Sequence, residues 1–175
     1  IELNISANSA MPDSTGRQIA VAHTFGVYVV NTESRNVTSM YNISKSVDSV
    51  VWDTEGDLWF GFFGGSRKAM EYRSGELTGA KTQAHNTAMT SMSIISDNRI
   101  VTGGRDNLVK ITSKQGVLER TLSDFSQNPS IIINDGIGNL IIGCSNGDLF
   151  RYDFNDWSVE GLSSSSGQTI ISVTI

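Results

Sequence analysis

Ser91-Met92-Ser93-Ile94-Ile95-Ser96-Asp97-Asn98-Arg99-Ile100-Val101-Thr102-Gly103-Gly104-Arg105-Asp106-Asn107-Leu108-Val109-Lys110-Ile111 is the stretch on which the fold reading rests. It holds three short apolar runs rich in β-branched residues, separated by two clusters of Asp, Asn, Arg and Gly. Such runs read as strands, and such clusters close tight hairpins because Asn, Asp and Gly tolerate positive φ. The middle run has sisters elsewhere. Ile19-Ala20-Val21-Ala22, Leu58-Trp59-Phe60-Gly61 and Leu140-Ile141-Ile142-Gly143 align with Ile100-Val101-Thr102-Gly103, and the four starts lie 39, 42 and 40 residues apart.

The flanking features repeat with the same order. Polar turns precede these runs at Pro12 to Gly16, Asp53 to Asp57, Ser96 to Arg99 and Asn134 to Asn139, and ahead of them come the first strands at Leu3-Asn4-Ile5, Ser49 to Trp52, Ser91 to Ile95 and Ser130 to Ile133. Third strands follow at Val27 to Val30, Ala69 to Tyr72, Leu108 to Ile111 and Leu149 to Tyr152. More polar fourth strands are expected around Asn36 to Met40, Glu76 to Ala80, Leu118 to Leu122 and Trp157 to Leu162. A four-stranded meander cannot cover both of its own faces, so such units must stack around an axis. The expected fold is therefore all-β: four antiparallel four-stranded β-propeller blades with a repeat of about 40 residues. The rivals are a β-sandwich and a parallel β-helix, which also give regular short strands but not one recurring order of turn types. The expected blades are residues 1–43, 44–84, 85–125 and 126–162, with an extra strand over 168–175 after a linker at Ser163 to Gly167.

On these residues the third repeat, His85 through Ser113, resembles the WD-repeat family. His85 stands where the family has its Gly-His pair, Val101-Thr102-Gly103-Gly104 is similar to the second strand, and Asp106 is similar to the acidic turn residue. Thr112-Ser113 replaces the Trp-Asp dipeptide. The resemblance implies a structural hydrogen-bond network in which His85, Thr102 and Asp106 take three of four places, the tryptophan being absent. Gly56 to Gly61 and Gly138 to Gly143 resemble the looser propellers of sensor proteins. The family implies a non-catalytic scaffold that offers a ring face to other proteins or peptides. WD-like rings close with seven or eight blades, which needs about 280 residues. This chain has 175 and opens on Ile1 without a methionine, so a piece of a longer protein is expected first. After it come completion by a second copy, completion by a partner chain, and closure with four blades.

Composition narrows the functions. Hydrophobic residues make up 38%, enough for a packed core, and 13 Lys+Arg against 18 Asp+Glu leave a net charge of -5, which disfavours a surface that condenses on phosphate backbones. The single Cys144 forms no internal disulfide, which fits a reducing compartment, cytoplasm or nucleus. No apolar run reaches the roughly 20 residues of a membrane span. Sequons begin at Asn4, Asn36 and Asn42, as chance allows in a chain rich in Asn, Ser and Thr.

A reaction centre is not legible. His23 and His85 are the only histidines, each in a place the repeat explains, and no G-x-S-x-G elbow occurs. Two His and one Cys at unrelated repeat positions fall short of a zinc set. Asp53, Asp57, Asp135 and Asp148 lie in hairpin turns, and Asn134 to Asn139 lacks the alternating acids of a calcium loop. Gly61-Phe62-Phe63-Gly64-Gly65-Ser66-Arg67-Lys68 has no following helix and so reads as a lengthened glycine-rich turn and not a phosphate loop. No cofactor or metal is expected. Aromatic and Arg residues are the usual interface anchors, and the candidate partner face comprises Phe25, Phe63, Arg67 and Arg105 in second-to-third-strand turns, with Asn86 and Phe125 in inter-blade loops. The alternative is a small-molecule-binding or enzymatic sensor propeller completed by residues outside this chain. A module in an RNA-processing complex would share the scaffold chemistry.

Overall fold

The computed structural model describes residues 6–43, 46–62, 69–73, 76–82, 85–95, 97–163 and 167–173, with backbone alone over 69–73 and 76–81. Every regular element among them is a strand. The first sheet holds β1 (Ala7–Pro12), β2 (Gln18–His23), β3 (Gly26–Asn31) and β4 (Val37–Asn42). The second holds β5 (Ser49–Trp52), β6 (Leu58–Gly61), β7 (Ala69–Arg73) and β8 (Glu76–Lys81). The third contains β9 (Met89–Ile94), β10 (Ile100–Gly104), β11 (Val109–Thr112) and β12 (Leu118–Leu122), and the fourth β13 (Pro129–Asn134), β14 (Asn139–Cys144), β15 (Leu149–Asp153) and β16 (Val159–Ser163). Strands are neighbours in chain order in all four sheets, so each is an antiparallel meander.

The four second strands occupy one register position. Ile19 pairs with Val30, Leu58 with Tyr72, Ile100 with Thr112 and Leu140 with Tyr152. Both faces of the inner sheets are covered, because hydrophobic clusters form between successive sheets. Ala20, Ala22, Val27 and Val29 pack with Val50, Leu58 and Phe60; Val51 and Trp59 pack with Met89, Met92 and Ile100; Val101, Val109 and Ile111 pack with Ile132, Leu140, Ile142 and Tyr152. Burial of this apolar area, at roughly 25 cal/mol per Å², drives the stacking.

Polar stitches recur at the repeat spacing. Asn8 Nδ2 donates to the Val47 carbonyl (2.9 Å), Thr90 Oγ1 to that of Pro129, and Ser130 Oγ to that of Ile170 (2.6 Å). Gly167 and Ile170 bond back to the fourth sheet as Ile43 and Val47 bond back to the first. Ile43 N–H bonds to Phe25 O and Val47 N–H to His23 O, while Gly167 N–H bonds to Asn146 O and Ile170 N–H to Cys144 O.

Two strand expectations need correction. The first strand of the first repeat is Ala7–Pro12, paired with β2, and residues 1–5, including Leu3-Asn4-Ile5, lie outside the described ones. Its Ala-Asn-Ser-Ala run is mostly solvent-exposed, so it carries little of the apolar signal by which strands are recognised. The extra strand expected over 168–175 is described to residue 173 and there forms no ladder, since a strand requires consecutive backbone bonds to one neighbour and Ile170 makes one such bond to β14.

Candidate functional site

The third sheet is built around a buried imidazole. His85 Nδ1 lies 2.9 Å from Asp106 Oδ1, and its Nε2 lies 2.9 Å from Thr102 Oγ1. A carboxylate only accepts, so Nδ1 carries the proton and Nε2 accepts from the threonine hydroxyl. The second Asp106 oxygen accepts the Asn86 backbone N–H at 2.8 Å, which ties the loop before β9 to the β10–β11 turn. Arg105 N–H closes the same end on the Ala88 carbonyl. Gly104 leaves the room this needs, since a Cβ there would overlap His85 Nδ1 and Asp106 Oδ1. Burial pulls the His85 pKa down against the opposing pull of the Asp106 carboxylate. Burial raises the Asp106 pKa, but the bonds from Asn86 and His85 outweigh it and hold the carboxyl below its ordinary range.

These groups have the connectivity of a nucleophile, a base and an orienting acid. Thr102 is 0% exposed, however, so no substrate atom can approach its hydroxyl, and what the network does chemically is hold a loop. Among the described residues no group of three or more His, Cys, Asp or Glu side chains is arranged to hold a metal ion.

The network has an acid-side consequence. A histidine kept neutral in the fold binds its proton more readily when unfolded, so its contribution is complete above about pH 6.5 and falls as the pH drops from there through the depressed folded value. Buried His23, also depressed by burial, adds in the same direction. The melting temperature is expected to fall between pH 7 and pH 5, and His85→Asn to flatten that slope. An unchanged slope in the variant would contradict the buried neutral ring.

The repeat register explains what fills the same slots elsewhere. In the fourth sheet Phe125 stands where His85 stands, Ile142 where Thr102 stands, Asn146 where Asp106 stands, and Tyr152 where Thr112 stands, each offset by 40 residues. The hydrogen-bonded triple is thus replaced by apolar packing: Phe125 meets Phe150 edge to face with centroids 5.3 Å apart and lies 6.0 Å from Tyr152. Tyr152 caps the slot by donating its hydroxyl to Asp124 (3.0 Å).

This corrects one partner-face expectation. Phe125 is 6% exposed and belongs to the core, because its repeat position points into the sheet interface. Phe62, in the glycine-rich turn, is likewise buried in the core of the first two sheets. Phe25 is 66% exposed at the β2–β3 turn, and Arg105 and Asn86 are exposed beside the network. Phe63 and Arg67 lie outside the described residues. The turns bearing Phe25 and Arg105 lie at the same end of their sheets, opposite the first-to-second-strand turns.

That opposite end holds a constellation that pattern reading did not find. Lys114 Nζ lies 2.6 Å from Asp53 Oδ2, 2.9 Å from Glu55 Oε2 and 3.0 Å from Asp57 Oδ2, joining the β11–β12 turn to the β5–β6 turn of the preceding sheet. Burial disfavours the ammonium, but the bonds to the three carboxylates raise its pKa above the ordinary lysine value. Asp53 also accepts the Glu55 and Asp57 N–H groups and, at 3.4 Å, Trp59 Nε1. One sheet further on, Trp157 fastens the same way: the Arg99 and Arg120 guanidinium carbons stand 5.5 and 4.8 Å from its ring centroid. The Asp-rich turn was visible in the sequence. Its partner was not.

Four stacked four-stranded meanders, one with a His-Thr-Asp network at the end of its second strand, define the fold as a β-propeller of the WD40 type. Two solved structures make the comparison concrete. The WD40 β-propeller domain of Doa1 superposes with a TM-score of 0.72 at 17% identity, over 91% of this chain and 55% of that one. A chain of the mitotic checkpoint complex superposes with a TM-score of 0.73 at 15% identity, over 91% of this chain and 51% of that one. The chain therefore spans about half the length of these structures. At such identities the likeness concerns the fold. No family model and no curated protein sequence matches the chain.

Proposed function

We propose that the chain is a non-catalytic propeller segment that binds other proteins or peptides through the end of its blades carrying Phe25, Asn86 and Arg105. The observation that carries this reading is the use of the buried His85–Asp106–Thr102 network. Its hydrogen bonds fix the backbone at Asn86 and, through the β10–β11 turn, the exposed Arg105, so a guanidinium and an amide are presented on a loop whose geometry is set from within. Preorganised Arg and aromatic side chains are what interfaces use as anchors. The fold's scaffold use in WD40 propellers supports the same reading.

We further propose that the repeat continues into more blades. Support comes from Gly167 and Ile170, whose backbone bonds to the fourth sheet match those of Ile43 and Val47 to the first, and from the Ile170 carbonyl, which accepts a side-chain bond as those of Val47 and Pro129 do at the entry to the second and fourth sheets. A partner carboxylate or phosphate is the group Arg105 suits. Arg105→Glu in the full-length parent is expected to reduce recovery of its partners at least several-fold in pull-down, with an unaltered melting temperature. Full recovery would remove this face from consideration. If activity on a small molecule appeared in the parent instead, the sensor or enzyme alternative would replace the scaffold.

A further inference from the structure

Trp157 occupies a turn position that asks for no side chain. It precedes Ser158, whose carbonyl accepts the Asp153 N–H to close the β15–β16 turn, and the same position in the third sheet, before Val117 in the β11–β12 turn, holds Gly116. Both residues have positive φ, 89° at Gly116 and 61° at Trp157. Glycine takes that conformation freely, whereas a bulky residue there is an outlier, and such outliers gather at ligand clamps and switch regions. Part of what the indole does is internal. It packs against the core of the third and fourth sheets and meets the guanidinium groups of Arg99 and Arg120.

The two arginines differ. Arg99 is already matched, with its Nε 2.7 Å from Asp97 Oδ2 and a terminal nitrogen 3.7 Å from Glu119 Oε2. Arg120 is exposed and, among the described residues, has no carboxylate partner; its guanidinium carbon lies 4.8 Å from the indole centroid. A guanidinium set over an aromatic ring uses its face there and keeps the N–H fork, in its own plane, for a second partner. The Trp157 indole N–H likewise has no partner among the described residues and is not buried, so solvent reaches it. We propose that Arg120 and Trp157 form a subsite for one carboxylate, an aspartate or glutamate side chain of a partner protein, where the third and fourth blades meet at the end opposite Arg105. The fork receives the two carboxylate oxygens side by side. The indole holds the guanidinium in place beforehand, which lowers the cost of ordering it on binding. A phosphate dianion or a nucleic-acid backbone is disfavoured, because Asp97 and Glu119 stand beside the site in a chain of net charge -5 and repulsion grows with each added negative charge.

The chain has three tryptophans, so proton–nitrogen NMR reads the site through one of three indole N–H signals. Those of Trp52 and Trp59 serve as references, being engaged with the Met11 carbonyl and Asp53. The blocked peptide acetyl-Gly-Glu-Gly-amide, at constant ionic strength, is expected to shift the Trp157 signal saturably with a Kd on the order of 10 mM. Its glutamine counterpart should bind at least about five-fold more weakly, and so should inorganic phosphate at about pH 8, where it is a dianion. Arg120→Lys keeps the charge but not the fork and should weaken the glutamate peptide at least about five-fold, with the Trp52 and Trp59 signals unmoved as a sign of an intact fold. Absence of a saturable shift would overturn the proposal. So would an equal response to the glutamine peptide, tighter binding of phosphate, or a response undiminished in Arg120→Lys. Arg105→Glu should leave the Trp157 response intact, so failure at either end of the blades is told apart from failure at the other, and loss of the response in that variant would also overturn the assignment.

Discussion

Lys114→Met is expected to lower the stability of the chain by about 3–5 kcal/mol, read as a shift of the urea midpoint with unchanged m-value. The lysine closes a cage of three carboxylates between the second and third blades, and the Asp53 side chain at its centre is 0% exposed. Removing the ammonium leaves Asp53 buried beside Asp57 without its counter-charge, which costs more than the pair itself contributes when both partners are present. Glu55 is largely solvated and adds little. The double replacement Asp53→Asn, Lys114→Met should recover part of the loss, because the uncompensated charge goes with the carboxylate. Since the bonds to the carboxylates raise the lysine pKa, the stabilisation is complete below the ordinary lysine range and is lost only as the pH climbs through the raised value. A midpoint shift equivalent to less than about 1 kcal/mol would show that the cage is solvated and adds little to the docking of these two blades.

Gly26→Ala should be of similar size, about 3–5 kcal/mol, but for steric reasons. Gly26 begins β3 at φ 149°, a conformation that L side chains rarely adopt, and a Cβ there would overlap the carbonyl oxygen of Tyr41 on β4. The obstacle is backbone in a paired strand, so no rotamer change relieves it and the β3–β4 ladder must open. Because Val27 and Val29 on β3 are part of the core shared with the second sheet, the loss spreads beyond the turn. Hydrogen exchange is expected to show faster exchange across β3 and β4 in the variant while β10 and β14 stay protected. An alanine variant with wild-type melting and exchange would contradict the close approach of the two strands.

The blade pattern was open to reading in the chain because its causes are local. Each β-branched run, each Asp- or Asn-rich turn and each glycine acts within a few residues, and repetition at about 40 residues made weak signals reinforce one another. His85, Thr102 and Asp106 were singled out differently, as what the resemblance of the third repeat to the WD-repeat family implied, and the structure brings the three within hydrogen-bond distance. Phe125 shows how a general tendency misleads. Aromatic residues anchor interfaces, but its offset of 40 from His85 placed it in an interior slot, and that offset was the available signal. Tyr152 could have been found in the same way, as the side chain in the position of the missing tryptophan.

Lys114 and Asp53 are 61 residues apart, and Trp157 and Arg99 are 58 apart. No periodicity within a strand brings such pairs together. By itself the sequence determined the number of sheets, the order of their strands and which turn residues sit at which end, since hydrogen-bonding reach and side-chain alternation act along the chain. Only the tertiary structure decided which blade-end residues meet, and so which turns of neighbouring sheets lock onto each other. Those depend on the angle and distance at which whole sheets pack, and these are set by the summed shape of many buried side chains.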